Sequence, residues 1–246
     1  MYHNKYCRST GDIDVWIEGG KKDVVEYVHS KYPTINVEYH HMQFPVFEDL
    51  EVEVHYYPSF CYNKIHNRRL QHYFKKSGEK QFCNCVEWEN SEEKICVPNH
   101  SFNLVFQLSH MMRHFFTQGI GLRHAVDYYY LLEQDIDSEQ KKEAITVIKK
   151  CGMYKFLCAI MWIEIDMLGL KKNNDFAPKN EKAGRMVLNE MLKGGNFGKS
   201  YKHSNGGLIA RYANEMIYRL RFIKEFPSEP IWRPFTLVWD YVKKRV

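Results

Sequence analysis

The sequence lacks any apolar run long enough for a bilayer. Its longest uninterrupted stretch, 156–163, meets Glu164 and then Asp166, well short of the roughly 20 residues a membrane helix needs. No transmembrane helix is therefore expected, and no membrane partner. Residues 1–8 contain neither an apolar core nor a small-residue cleavage site, so no secretory signal is expected and a cytoplasmic placement follows. Paired cysteine motifs are missing as well. The seven cysteines, at 7, 61, 83, 85, 96, 151 and 158, are odd in number and form no C-x-x-C, which argues against a disulfide framework or zinc ribbon and for reduced, mainly packing thiols. Nor does charge of one sign dominate: 35 basic and 30 acidic residues leave +5, an excess that admits an anionic ligand without demanding nucleic acid. What is present is 44% hydrophobic and 15% aromatic content over 246 residues, enough for one large domain or two small ones.

Periodicity divides the chain. Residues 12–17 alternate, with Ile13, Val15 and Ile17 on one face and Asp12, Asp14 and Trp16 on the other, the period of a half-buried strand. Gly19-Gly20 ends it, and Val24, Val25 and Val28 recur at helical spacing before Pro33. Alternation returns over 36–43 and 50–56, giving β-α-β-β. Residues 57–100 are less regular, with a basic helical patch around Arg68, Arg69 and Lys75, a turn at Ser77-Gly78, and a hairpin over 83–97. Beyond Pro98 the pattern is helical over 101–117, 122–133, 138–150, 153–169, 181–193, 207–225 and 233–244, with Asp137 or Ser138 as an N-cap. The fold class expected is α+β: a small mixed-sheet core over 1–100, followed by a helical bundle over 101–246.

The chemistry concentrates in Gly11-Asp12-Ile13-Asp14. Carboxylates two residues apart on a strand point the same way, about 7 Å apart at Cα. Brought to about 4 Å they repel by about 4 kcal/mol at an effective dielectric of 20, so the pair calls for a cation, and magnesium suits hard oxygen donors. Glu51, Glu53 and His55 share one face of the 50–56 strand, so Glu53, or else Glu51, can complete an acidic triad of the kind that two-metal phosphoryl transfer uses. The plainer alternative is that D-x-D marks the solvent face of an edge strand. His110 and His114 sit at i, i+4 but form no H-E-x-x-H, so a structural role is expected over zinc. Tyr128 to Tyr130 and Trp232, Phe235 and Trp239 read as packing rather than base-stacking platforms.

Arg8 to Trp16, Glu51-Val52-Glu53-Val54-His55, His110, Gly121-Leu122-Arg123 with Asp127, and Gly195-Asn196-Phe197-Gly198 together resemble the uncharacterised bacterial nucleotidyltransferase family (type 5) of the DNA polymerase beta-like superfamily. The resemblance implies a magnesium-dependent transfer of a nucleoside monophosphate from an NTP to an unknown acceptor, a small molecule, saccharide or protein, with nucleic acid not favoured. It implies Asp12, Asp14 and Glu53 as catalytic metal ligands, with Arg8, Gly11 and Arg123 at the nucleotide. It also implies a Gly-Ser element ahead of the D-x-D strand. The eleven residues before Asp12 contain none, so the chain reads as N-terminally shortened, and a catalytically silent binding module is the alternative.

Overall fold

The computed structural model describes Arg8 and residues 11–87, 91–117, 119–171, 176–194, 214 and 216–243. Two units emerge, one from 1–60 with 71–99 and the other from 61–70 with 100–246.

In the first unit, β1 (Ile13–Trp16), β2 (His41–Gln43) and β3 (Val52–His55) form a mixed sheet in the order β1-β3-β2. β1 runs parallel to β3, pairing Asp14 with Glu53 and Trp16 with His55, while β2 runs antiparallel, pairing Gln43 with Glu53 and His41 with His55. Side chains alternate across a strand, so the sheet has two unlike faces. Val54 and Met42 face helix α1 (Lys21–Lys31), where they bury with Val24, Val28 and Tyr56, and Ile17 packs against them. The other face carries the polar grid Asp14–Glu53–Gln43 and Trp16–His55–His41. Ile13 and Val15 lie on the expected face but remain 42% and 38% exposed, unlike Met42 at the opposite edge of the sheet, which is fully buried. Gly19, at φ 114°, takes a turn that a side chain would strain. The Gly20 N–H donates to Asp23 Oδ2 at 2.9 Å and starts α1.

The structure corrects three expectations in this unit. The strand expected over 36–43 is confined to His41–Gln43. The irregular stretch after Pro58 contains a 19-residue helix, α2 (Lys64–Phe82), which runs straight through the expected Ser77-Gly78 turn. Ser77 Oγ donates to the Tyr73 carbonyl at 2.8 Å, absorbing the hydroxyl within the helix. Gly78 is where the Trp16 ring lies, 3.1 Å from where a Cβ would stand, so the glycine serves close packing rather than a turn. Finally, β4 (Cys85–Glu87) and β5 (Lys94–Cys96) form the expected hairpin, but Cys85 and Cys96 are cross-strand partners joined as a disulfide. This corrects the expectation of reduced thiols, because an odd count without C-x-x-C does not exclude one local bridge between strands in register. Cys61, Cys83, Cys151 and Cys158 remain free.

The second unit is helical: α3 (His100–Phe115), α4 (Leu122–Leu132), α5 (Ser138–Lys150), α6 (Tyr154–Trp162), α7 (Glu181–Gly194) and α8 (Ser228–Lys243). Of the two expected candidates, Asp137 is the N-cap, accepting from the Glu139 and Gln140 amides at 2.8 and 2.9 Å. The helix expected over 153–169 ends its α-helical part at Trp162 and continues as a π-helical turn, Ile163–Met167. α8 begins five residues before its expected start and tolerates Pro230 because the first turn needs no amide donors. Of the helix expected over 207–225, residues 207–213 and 215 lie outside the described residues, as does 195–198, while 216–220 are helical. Among the described residues no helix is long and apolar enough to cross a membrane.

Candidate functional site

The polar face of the sheet gathers its acids by register alone. Because Asp14 is the parallel partner of Glu53, their side chains leave the same face of neighbouring strands. His55, two residues beyond Glu53, follows on that face. One ligand atom from each of Asp14, Glu53 and His55 falls within 4.8 Å of the others. His55 Nε2 lies 2.6 Å from Asp14 Oδ1 and 3.4 Å from Glu53 Oε2. On the β2 side, Gln43 Nε2 donates to Glu53 Oε1 at 3.1 Å, and His41 Nε2 lies 3.4 Å from the same oxygen. The site is open at one end, since the Asp14 side chain is 33% exposed and that of His55 only 3%.

Charge follows from this geometry. Burial alone would lift the Glu53 carboxyl; the hydrogen bond from His55 and the charges of His41 and His55 outweigh it and hold Glu53 below its ordinary value, although Asp14 pushes upward. For His55, burial disfavours the charged ring, yet its bonds to Asp14 and Glu53 prevail and raise it to about 9. His55 is therefore an imidazolium at neutral pH, lying between two carboxylates.

Of the residues singled out in the sequence, Asp14 and Glu53 are brought together. Asp12 is exposed just ahead of β1, Arg8 is exposed and Gly11 is half-buried. Glu51 is exposed outside β3, its carbonyl accepting the Ile13 amide at 2.9 Å. Arg123 lies at the start of α4 in the helical unit, half-buried. His110 and His114 stack with ring centroids 4.4 Å apart, and His114 Nε2 lies 2.7 Å from Arg113, an arrangement of packing and hydrogen bonding. Tyr128 is buried and donates to the Leu104 carbonyl at 3.1 Å, as core residues do. Sequence reasoning did not single out His40, His41 or Gln43. The alternation over 36–43 was their signal, since it puts His41 and Gln43 on one face, but only the antiparallel pairing with β3 shows that this face is shared with Glu53.

The fold and site define an α+β protein with an acidic, imidazole-backed patch on a small mixed sheet. The chain belongs to the family of uncharacterised nucleotidyltransferases, whose model matches residues 1–169. No curated protein and no solved structure matches it.

Proposed function

We propose that the protein is a magnesium-dependent nucleotidyltransferase that moves a nucleoside monophosphate from an NTP to an acceptor oxygen. The observation that carries this reading is the in-register placement of Asp14 beside Glu53 on neighbouring parallel strands, within a chain of the nucleotidyltransferase family. Two carboxylates form a hard oxygen donor set that fits Mg2+ completed by water and phosphate oxygens; Asp12, exposed just ahead of β1, is the proposed third acid. Bound there, the ion would neutralise charge developing on the leaving pyrophosphate and activate the acceptor oxygen. In the transfer, the acceptor oxygen bonds to the α-phosphorus as the bond from that phosphorus to the bridging oxygen breaks, pyrophosphate departs and the acceptor proton passes to solvent water. Glu53, held below its ordinary range, is a weak base, so its part is to position the acceptor rather than to retain its proton. Arg8 and Gly11 are the proposed contacts to the nucleotide within this unit, with the acceptor a small molecule, saccharide or protein.

The test is calorimetric titration of each NTP with Mg2+ into the chain and into the Asp12→Asn, Asp14→Asn double variant. Magnesium-dependent binding lost in the folded double variant is expected; binding that survives it would sink the assignment. A second reading, a silent binding module, is favoured by the His55 imidazolium, which already offsets one of the two carboxylate charges. Nucleotide binding without pyrophosphate release across a panel of acceptors would support that reading.

A further inference from the structure

We propose that His40, His41 and His55 form a binding site for a nitrogen-preferring transition-metal dication of the Zn2+ or Co2+ class, adjoining the carboxylate pair but distinct from it. The inference goes beyond the nucleotidyltransferase reading and stands whether or not the chain turns over nucleotide.

Backbone geometry assembles the three imidazoles. His41 and His55 are cross-strand partners on β2 and β3, and the His40 carbonyl is fixed by accepting the Tyr56 amide at 3.1 Å and the Tyr57 amide at 3.3 Å. Ring centroids lie 4.4 Å apart for His40 and His41, 5.1 Å for His40 and His55, and 5.2 Å for His41 and His55. One nitrogen from each ring falls within 4.8 Å of the other two. His41 Nδ1 is 3.3 Å from the ring nitrogens of His40, about the spacing of two ligands on a tetrahedral zinc with bonds of about 2.0–2.1 Å. His40 and His55 are 5% and 2% exposed, so these rings are positioned by packing before any ligand arrives.

The surroundings complete the pattern. A metal-ligating histidine characteristically gives its other ring N–H to a carboxylate, which sets the ring's orientation and basicity. Both available cases fit. His55 Nε2 faces Asp14 Oδ1 at 2.6 Å, so Nδ1, which donates to the Tyr57 carbonyl across a long 3.4 Å, is the nitrogen that would give up its proton to solvent and take the metal in its place. His41 Nε2 faces Glu53 Oε1 at 3.4 Å, leaving Nδ1, the nitrogen already facing His40. Three imidazoles select zinc-like ions over magnesium, which prefers oxygen, so the two kinds of ion would not compete for the same donors. Three protein ligands also leave a coordination position open to water or to an incoming ligand.

The test is titration of Co2+ into the chelator-treated full chain in excess Mg2+, read by visible absorption, with the same sample titrated separately with Mg2+ and ATP. Expected are one Co2+ per chain with the bands of a four-coordinate nitrogen-rich site, displacement by Zn2+, and affinity lowered at least about tenfold by His41→Gln. Folded protein that takes up no Co2+, or a His41→Gln variant that binds as tightly, would overturn the site. X-ray absorption of the zinc-loaded wild type serves independently of any variant's folding: about three imidazole ligands are expected, and a shell of sulfur or oxygen alone refutes the proposal. Co2+ binding without Mg–ATP binding counts against the nucleotide reading only, and the reverse against this site only.

Discussion

At the scale of single residues, two acids show how context decides what a carboxyl does. Glu53 is held low by imidazoles and stays charged. Glu164, in the π-helical turn, is completely buried, and neither carboxyl oxygen has a hydrogen-bond partner among the described residues. Burial pushes its carboxyl well above the ordinary value of 4.5, so the folded chain holds this proton to higher pH than the unfolded one does. Folding therefore takes up a proton, and its cost grows as pH rises above the unfolded value. Replacing Glu164 with Met keeps the approximate volume and removes the unsatisfied polar group. The expected result is a gain of about 1–3 kcal/mol at pH 7 and a smaller gain at pH 4, measured by urea unfolding. A variant no more stable than wild type at pH 7 would mean that Glu164 reaches a partner after all. An apolar stretch that is buried on all sides ends at this acid, so the sequence already marks it as anomalous; the widened helical turn that accommodates it is not visible there.

At the scale of elements, close approach explains what propensity does not. Gly184 sits inside α7, where an alanine would ordinarily gain about 1 kcal/mol. A Cβ there would lie 2.5 Å from Trp162 Cε3, and Trp162 is a rigid bicyclic ring only 4% exposed at the end of α6. Overlap wins over propensity: Gly184→Ala is expected to destabilise by about 1–3 kcal/mol, read as a lowered urea midpoint. An unchanged or raised midpoint would show that the Trp162 ring has room to turn. The same physics sets what was legible in the sequence. Alternation and turn residues revealed β1, α1 and β3, and the Asp137 cap placed α5 to the residue, because these are local signals. Asp14 and Glu53 were legible as strand acids, and their adjacency needed only one assumption about strand order. The interior of α2 was not legible, because Gly78 answers to Trp16, which is 62 positions earlier in the chain. Nor were His40 and His41, whose significance depends on cross-strand register, or the Cys85–Cys96 pairing, which depends on it too. Non-local contact is what local pattern cannot encode.

At the scale of the molecule, neither unit is one continuous stretch of chain, since residues 61–70 join the helical unit while 71–99 return to the sheet unit. Within the helical unit a long-range clasp holds that early segment: the Tyr62 amide donates to Glu229 Oε2 at 2.6 Å, the Asn63 amide donates to Glu229 Oε1 at 3.5 Å, and Asn63 Nδ2 donates to Ser228 Oγ at 3.1 Å. Glu229 is 4% exposed. Burial pushes its carboxyl up to about 7, against the pull of the Tyr62 and Asn63 amides, Ser228 and the Arg219 charge. The folded state thus keeps this proton up to about pH 7, whereas the unfolded chain releases it near 4.5. More protons bound when folded means stability that is level below about pH 4.5, falls through the window to about 7 and is level again above it, a loss of about 3 kcal/mol in all. Glu164, also raised by burial, adds a slope of the same sign. Glu229→Gln retains an acceptor for the Tyr62 amide without a titrating proton, so it should flatten the lower window only. Urea unfolding at intervals from pH 4 to 9 is the measurement: the variant is expected to match wild type at pH 4 and exceed it at pH 8. Curves that run parallel between pH 4.5 and 7 would mean that Glu229 ionises as an ordinary surface acid and that the clasp is held by its charge rather than by its burial.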